Sequence, residues 1–397
     1  MTSESLSRRW LLRGLRALPF FGVISAPRLL WAAQPTEQRL VVIILRGGLD
    51  GLTAVPPIGD PQFAAARGAL AQSAEGALKL NDFFMLDKHL PYLGRLYQQK
   101  QAIVFHAVAL PYRERSHFDA QNVLETGFSR AGNRDSGWLN RTLQAPSLAS
   151  QKPMGLALAS AVPLILRGPA RVTSWSPPRL AQPDGDIVSR IAMMYEGDPL
   201  LEPIIRAAVG NHAGKEAAAV EAGTGGNRTP DIARQAARFL LDRDGPCAAA
   251  IDIGGYDSHA GQLVANGRLD RALSELDNTI KAFAETMAPV WRQTSILVVT
   301  EFGRTVALNG TAGTDHGTGA AAFLVGGNVN GGRVIADWPG LAPAQRLDGR
   351  DLKPTTDLRA VLKGVLAGHY RLDPQFIDQT VFPDSGGLPA LKNLYAS

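Results

Sequence analysis

Five short polar clusters hold the residue types that metal and phosphoryl chemistry require. They are Asp50 within Arg46-Gly47-Gly48-Leu49-Asp50-Gly51, Ser116-His117-Phe118-Asp119, Gly254-Gly255-Tyr256-Asp257-Ser258-His259, Glu301-Phe302-Gly303-Arg304-Thr305, and Asp315-His316-Gly317. Together they offer three histidines, several carboxylates, a hydroxyl and an arginine. That inventory suits one or two divalent metals and a tetrahedral anion. Each cluster also has a plain structural reading. Asp50 is a turn residue between glycines. Ser116 is a helix N-cap, with Asp119 closing an S-x-x-D box. Asp257 and His259 form an Asx-turn with a solvated imidazole. Glu301 and Arg304 make an ion pair, and His316 is a loop histidine beside Asp315. Two of these readings are compatible with chemistry. A hydroxyl at a helix start also sits where backbone N–H groups and the macrodipole favour an anion. Positions i and i+2 share one side of an extended backbone, so Asp257 and His259 face the same way.

The elements that must position these clusters follow from hydrophobic patterning. The run Arg39-Leu40-Val41-Val42-Ile43-Ile44-Leu45 is apolar on both faces, as expected of a strand covered by helices on both sides. Further strands are expected at 102–108, 155–158, 163–166, 248–253, 295–300 and 321–325. Helices are expected at 117–125, from Thr229 (N-cap) and Pro230 (first position) to about 242, at 269–291 and at 356–366. Residues 207–228 read as an Ala- and Gly-rich loop. Alternating strands and helices predict an α/β fold with a mostly parallel central sheet and helices on both faces. In such sheets ligands gather at the carboxyl ends of the strands, and all five clusters fall there. Of the other histidines, His106 reads as a near-core strand residue, and His89, His212 and His369 as surface residues.

Composition narrows the function classes. The 397 residues are 45% hydrophobic and 19% charged, an ordinary globular balance. The single cysteine, Cys247, excludes an internal disulfide framework and a cysteine zinc cluster. Arg8, Arg9, Arg13, Arg16 and Arg28 against Glu4 place most of the +5 net charge in the first 33 residues. The remainder has no basic patch suited to nucleic acid. The chain has no P-loop and no Rossmann fingerprint, so no nucleotide cofactor is expected. The absence of G-x-S-x-G argues against an α/β-hydrolase. Ser7-Arg8-Arg9-Trp10-Leu11-Leu12-Arg13, a short apolar stretch and Ala32-Ala33 resemble a twin-arginine signal. The expectation is a signal peptide over 1–33, passage through the twin-arginine translocase, a periplasmic or otherwise exported location with anchoring by an uncleaved signal as the alternative, and one domain over 38–395.

The five clusters, in this order, are similar to those of a bacterial family, the domain of unknown function numbered fifteen-oh-one. The resemblance spans about residues 38–395 and implies a place in the alkaline phosphatase and sulfatase superfamily, with an alkaline-phosphatase-like α/β fold. It implies a metal aspartate at Asp50, a nucleophile at Ser116, metal ligands at Asp257 and His259, and completion of the site by Glu301 and His316. The implied chemistry is in-line attack on phosphorus or sulfur. Three departures accompany it. Only Ser258 separates Asp257 from His259, where three residues are usual. Glu301-Phe302 stands in place of an adjacent Asp-His. Position 116 is not a cysteine that could become formylglycine.

The candidate site thus comprises Ser116, His117 and Arg304 as catalytic residues and Asp50, Asp257, His259, Glu301, Asp315 and His316 as ligands for zinc, manganese, calcium or magnesium. The leading expectation is an exported metal-dependent hydrolase of small anionic phosphate or sulfate esters. The alternatives are a non-catalytic exported protein that binds a protein partner through an eroded site, and a metal-free serine esterase.

Overall fold

The computed structural model describes residues 36–148, 152, 154–177, 202 and 228–396. The twin-arginine segment, His212 and residues 207–227 of the Ala/Gly-rich stretch lie outside the described residues. Strand β1 (Arg39–Leu45) is fully buried and lies mid-sheet. The two-residue β2 (Leu78–Lys79) and β3 (Met85–Leu86) form a separate antiparallel pair. The main sheet adds β4 (Ala102–Ala109), β5 (Gly155–Ala157), β6 (Val172–Ser174), β7 (Ala248–Ile253), β8 (Thr294–Thr300), β9 (Ala320–Gly326), β10 (Arg333–Ile335) and β11 (Thr356–Asp357). Among the described residues its order is β10-β4-β9-β8-β1-β7-β5-β6, with β11 also on β4. Only β9 runs antiparallel to its neighbours β4 and β8. The expected α/β fold with a mostly parallel sheet is therefore the fold observed.

The unbroken apolar run of β1 has a direct cause. Successive side chains point to opposite faces. Val41, Ile43 and Leu45 join one core with residues of the helices Pro91–Gln98, Arg228–Leu241 and Arg268–Thr286. Leu40, Val42 and Ile44 join the other, with the helices His117–Thr126, Trp138–Leu143 and Leu358–His369. Each such buried side chain contributes about 1.5–3 kcal/mol, so both faces demand apolar residues.

Five local expectations differ from the structure. Residues 163–166 are no strand: Leu164–Leu166 form a 3-10 turn, and the Ile165 N–H donates to Glu125 at 2.9 Å instead of to a strand neighbour. The long helix ends at Thr286, because Pro289 cannot continue the ladder, and a 3-10 segment, Ala288–Gln293, follows. Thr229 lies inside the helix Arg228–Leu241, its hydroxyl donating to Glu275. The last expected helix starts at Leu358 behind an Asp357 cap, and Thr356–Asp357 instead pair with β4. His369 is also buried, its ring nitrogens facing Ser295 Oγ and the Arg39 carbonyl, each at 3.0 Å.

The parallel strands β4, β8, β1 and β7 end at one edge, and β9 begins there. That edge carries every candidate residue.

Candidate metal centre

The loops after β1, β7 and β8 meet over the sheet edge because glycines permit close approach. A Cβ on Gly47, whose φ is +117°, would sit 2.4 Å from the Asp257 nitrogen. Gly47 donates its N–H to Glu301 Oε1 at 2.8 Å and accepts from Arg304 at 3.1 Å through its carbonyl. The β1 and β8 loops are thereby locked together.

Asp257 Oδ1 is the focus of the site. His259 Nε2 lies 3.1 Å from it, His316 Nε2 3.4 Å and His117 Nε2 3.7 Å. His259 and His316 bring their Nε2 atoms within 2.9 Å of each other. One ligand atom each from His117, Asp257 and His316 lies within 4.8 Å of the others. Each ring is held by its opposite nitrogen. His117 Nδ1 faces Glu301 Oε1 at 3.0 Å, His259 Nδ1 faces Asp315 Oδ1 at 3.2 Å, and His316 Nδ1 faces the Arg115 carbonyl at 2.9 Å. Carboxylates and carbonyls only accept, so the Nδ1 atoms are the donors in these contacts, and a ring held this way in its neutral form turns its Nε2 lone pair to the cluster. His117 Nε2 is buried and has no hydrogen-bond partner.

These donors fit a metal. Three imidazole Nε2 atoms gather around one carboxylate oxygen, which also accepts from Arg304. Ligands about 2.1 Å from a tetrahedral ion would be roughly 3.4 Å apart, close to the spacings around Asp257. The rear contacts are the carboxylate and carbonyl partners that orient metal-binding histidines. Phe302 packs against both His117 and His316, with centroids 4.9 Å away in each case, and gives the rings an apolar backing.

The electrostatics are uneven. The Glu301 hydrogen bond raises the His117 pKa, opposed by burial. Burial lowers that of His316, with the charges of His117 and Arg304 acting the same way. Burial pushes Asp257 up, but the Arg304 hydrogen bond and charge outweigh it and hold the carboxyl low. For Glu301 the burial penalty is likewise outweighed, by hydrogen bonds from His117, its own backbone, Gly47 and Gln121.

The structure redistributes several sequence-derived roles. His117, expected in catalysis, turns its ring between Glu301 and Asp257. Glu301 and Asp315, expected as ligands, stand behind His117 and His259 as their acceptors. Arg304, expected to act on substrate, is 1% exposed and bound to Asp257 Oδ1 at 2.7 Å, Gly47 O and Thr314. Asp50, expected as a ligand, is sealed away. Its Oδ2 pairs with Arg67 at 2.6 Å and accepts from Gln262 at 2.6 Å and Thr53 Oγ1 at 2.8 Å, while Oδ1 caps the Leu52 and Thr53 N–H groups. Burial raises its pKa, but Arg67 chiefly reverses this and keeps it ionised. Ser116 precedes the helix His117–Thr126 without a side-chain capping bond. Asp119 accepts from Tyr112 Oη at 3.3 Å, so the S-x-x-D box is not formed. Sequence reasoning passed over Arg67, which carries no local signal: it meets Asp50 only through the turn between them.

No curated protein matches the chain. Several solved structures are similar in fold at low identity. Ps i-CgsB, in complex with k-i-k-neocarrahexaose, is 10% identical with a TM-score of 0.41, covering 89% of this chain and 77% of that one. The PsFucS1 sulfatase from Pseudoalteromonas sp. is 10% identical with a TM-score of 0.37, covering 92% and 74%. The phosphonate monoester hydrolase of Agrobacterium radiobacter is 11% identical with a TM-score of 0.33, covering 75% and 70%. The sequence pattern of one family matches residues 98–381, and the chain belongs to that family, described as "Protein of unknown function (DUF1501)".

Proposed function

We propose that this protein is a metal-dependent hydrolase of phosphate or sulfate esters, built around one ion held by Asp257, His117, His259 and His316. The observation that carries this is the convergence of three Nδ1-anchored imidazoles on a single carboxylate oxygen. Imidazole-rich donors suit zinc and related transition ions better than calcium or magnesium, which take oxygen. One ion is expected, not two, because both oxygens of the buried Asp50 are already taken by Arg67, Gln262, Thr53 and two backbone N–H groups.

A bound ion supplies Lewis acidity to a non-bridging ester oxygen and a lower pKa to a nearby hydroxyl. Ser116 stands one residue before His117, at a helix start where backbone N–H groups favour an anion. Its hydroxyl gives up its proton to solvent, Oγ forms the new bond to phosphorus or sulfur, and the bond to the ester oxygen breaks. The departing alkoxide takes a proton from solvent, and water then releases the acid from Ser116. Arg304 holds Asp257 in place throughout. The first 33 residues support export through the twin-arginine translocase to the periplasm as part of this proposal.

A second reading has its own observation. Arg304 Nη1 already sits on the oxygen that the histidines face, so a chain that keeps the fold without metal would be a non-catalytic binding protein. Elemental analysis of chelator-free, untagged protein separates the two. About one equivalent of a transition metal, with ester turnover lost in Ser116→Ala but metal retained, supports the hydrolase. A metal-free protein that also takes up none when it is added supports the binding protein.

A further inference from the structure

We infer that Arg115 is a positioning residue for the metal centre, aiming His316 through its backbone carbonyl while a buried carboxylate, Asp351, holds Arg115 in place. This rests on the metal-centre reading above. Arg115 has a φ of +62°, a left-handed conformation that is unfavourable for a non-glycine residue. Nothing in its own segment, Pro111 to Ser116, supplies a glycine to ease that turn. Its carbonyl accepts from His316 Nδ1 at 2.9 Å, which leaves the Nε2 lone pair facing Asp257.

The side chain explains how the turn is kept. Arg115 Nε and Nη2 both reach Asp351 Oδ2 at 2.9 Å, and Nη2 reaches Asp348 Oδ2 at 3.0 Å. Asp351 is 0% exposed and also accepts from Thr318 Oγ1 at 2.8 Å, two residues beyond His316. Arg350, its neighbour, donates to the His316 carbonyl. One buried carboxylate therefore fastens the segment that carries Ser116 and His117 to the segment that carries His316. A forked guanidinium performs this role and an ammonium does so poorly, because only the former places two N–H groups on one carboxylate.

The test is titration of the full chain with cobalt(II), following its visible d–d absorption, with zinc competition to set the affinity. Wild type is expected to take up one equivalent. Arg115→Met is expected to bind cobalt about 10–100-fold more weakly, the loss typical of a ligand's outer partner, with an altered d–d spectrum and a melting transition of the metal-free protein that is lowered but still cooperative. Arg115→Lys is expected to recover part of the loss, to within about tenfold of wild type. Wild-type affinity and spectrum in Arg115→Met would overturn the inference and leave the metal centre standing. If Arg115→Met fails to fold, wild-type affinity and spectrum in Arg115→Lys overturn it equally. Wild-type protein that binds neither cobalt nor zinc removes the metal centre itself, and the inference with it.

Discussion

Asp50 and Asp257 both follow strands of the same sheet, at the same edge, yet they have opposite surroundings. Asp50 is 1% exposed and every contact on it is a donor: Arg67, Gln262, Thr53 and two backbone N–H groups. Asp257 is partly exposed and meets one donor, Arg304, and three imidazole nitrogens. A carboxylate supplied with fixed donors is a structural element, because its charge is already balanced. Asp257, partly exposed and faced by one guanidinium and three imidazole nitrogens, is open to a further partner, and the proposed metal site draws on that openness. The difference teaches that a carboxylate after a strand names a position, and its partners name its role.

The comparison breaks most severely at Asp50. Asp50→Ala would leave the Arg67 guanidinium buried and unpaired, which costs roughly 3–5 kcal/mol. Denaturant unfolding should show that loss, and a stable Asp50→Ala protein would deny Asp50 its structural part. Next comes pH. His106 contacts the Gly51 and Val55 carbonyls at 3.1 Å, beside the Asp50 turn, and burial lowers its pKa to about 4. His369 is lowered to about 3 by burial at the opposite end of the sheet. The folded state keeps both neutral, whereas the unfolded chain takes up protons near pH 6.5. Their contribution is complete above pH 6.5 and declines as pH falls through about 4, by about 3 kcal/mol for His106. Melting temperature against pH should fall over that window, and His106→Gln should flatten part of the fall.

The open cluster is sharpened by smaller changes. Asp257→Asn should reduce metal affinity about 100-fold while leaving the melting temperature of the metal-free protein within a few degrees. Retained affinity would place the ion elsewhere. Glu301→Gln keeps the shape behind His117 but removes the charge that orients it. A loss of about 10–100-fold in metal affinity is expected, smaller than that for Asp257→Asn. A loss equal to that of Asp257→Asn would make Glu301 a ligand instead of an acceptor.

Much of the framework was legible from residues alone. The apolar run of β1 marked a strand covered on both faces, and its bounds, 39–45, coincide with those of the strand. Strand β7 likewise occupies the expected 248–253. The helix opening at His117 was expected there, ending one residue earlier than it does. Pro163–Leu166 misled because its apolar pattern fits a strand or a turn equally, and a distant carboxylate, Glu125, decided which formed. Ser116 and Asp119 spelled a capping box that Tyr112 dissolved by engaging Asp119.

What the sequence determined was the α/β alternation, the buried central strand and the gathering of polar residues at strand ends. These follow from side-chain periodicity and local turn chemistry, which act over a few residues. What only the tertiary structure decided was the division of labour among those residues. Asp50 was taken by Arg67, Glu301 was set behind His117, and three Nε2 atoms were turned toward Asp257. All but the His259–Asp257 pair bring together partners 17 to 184 positions apart, and hydrogen-bond directionality assigns such roles only once the chain has brought those partners together.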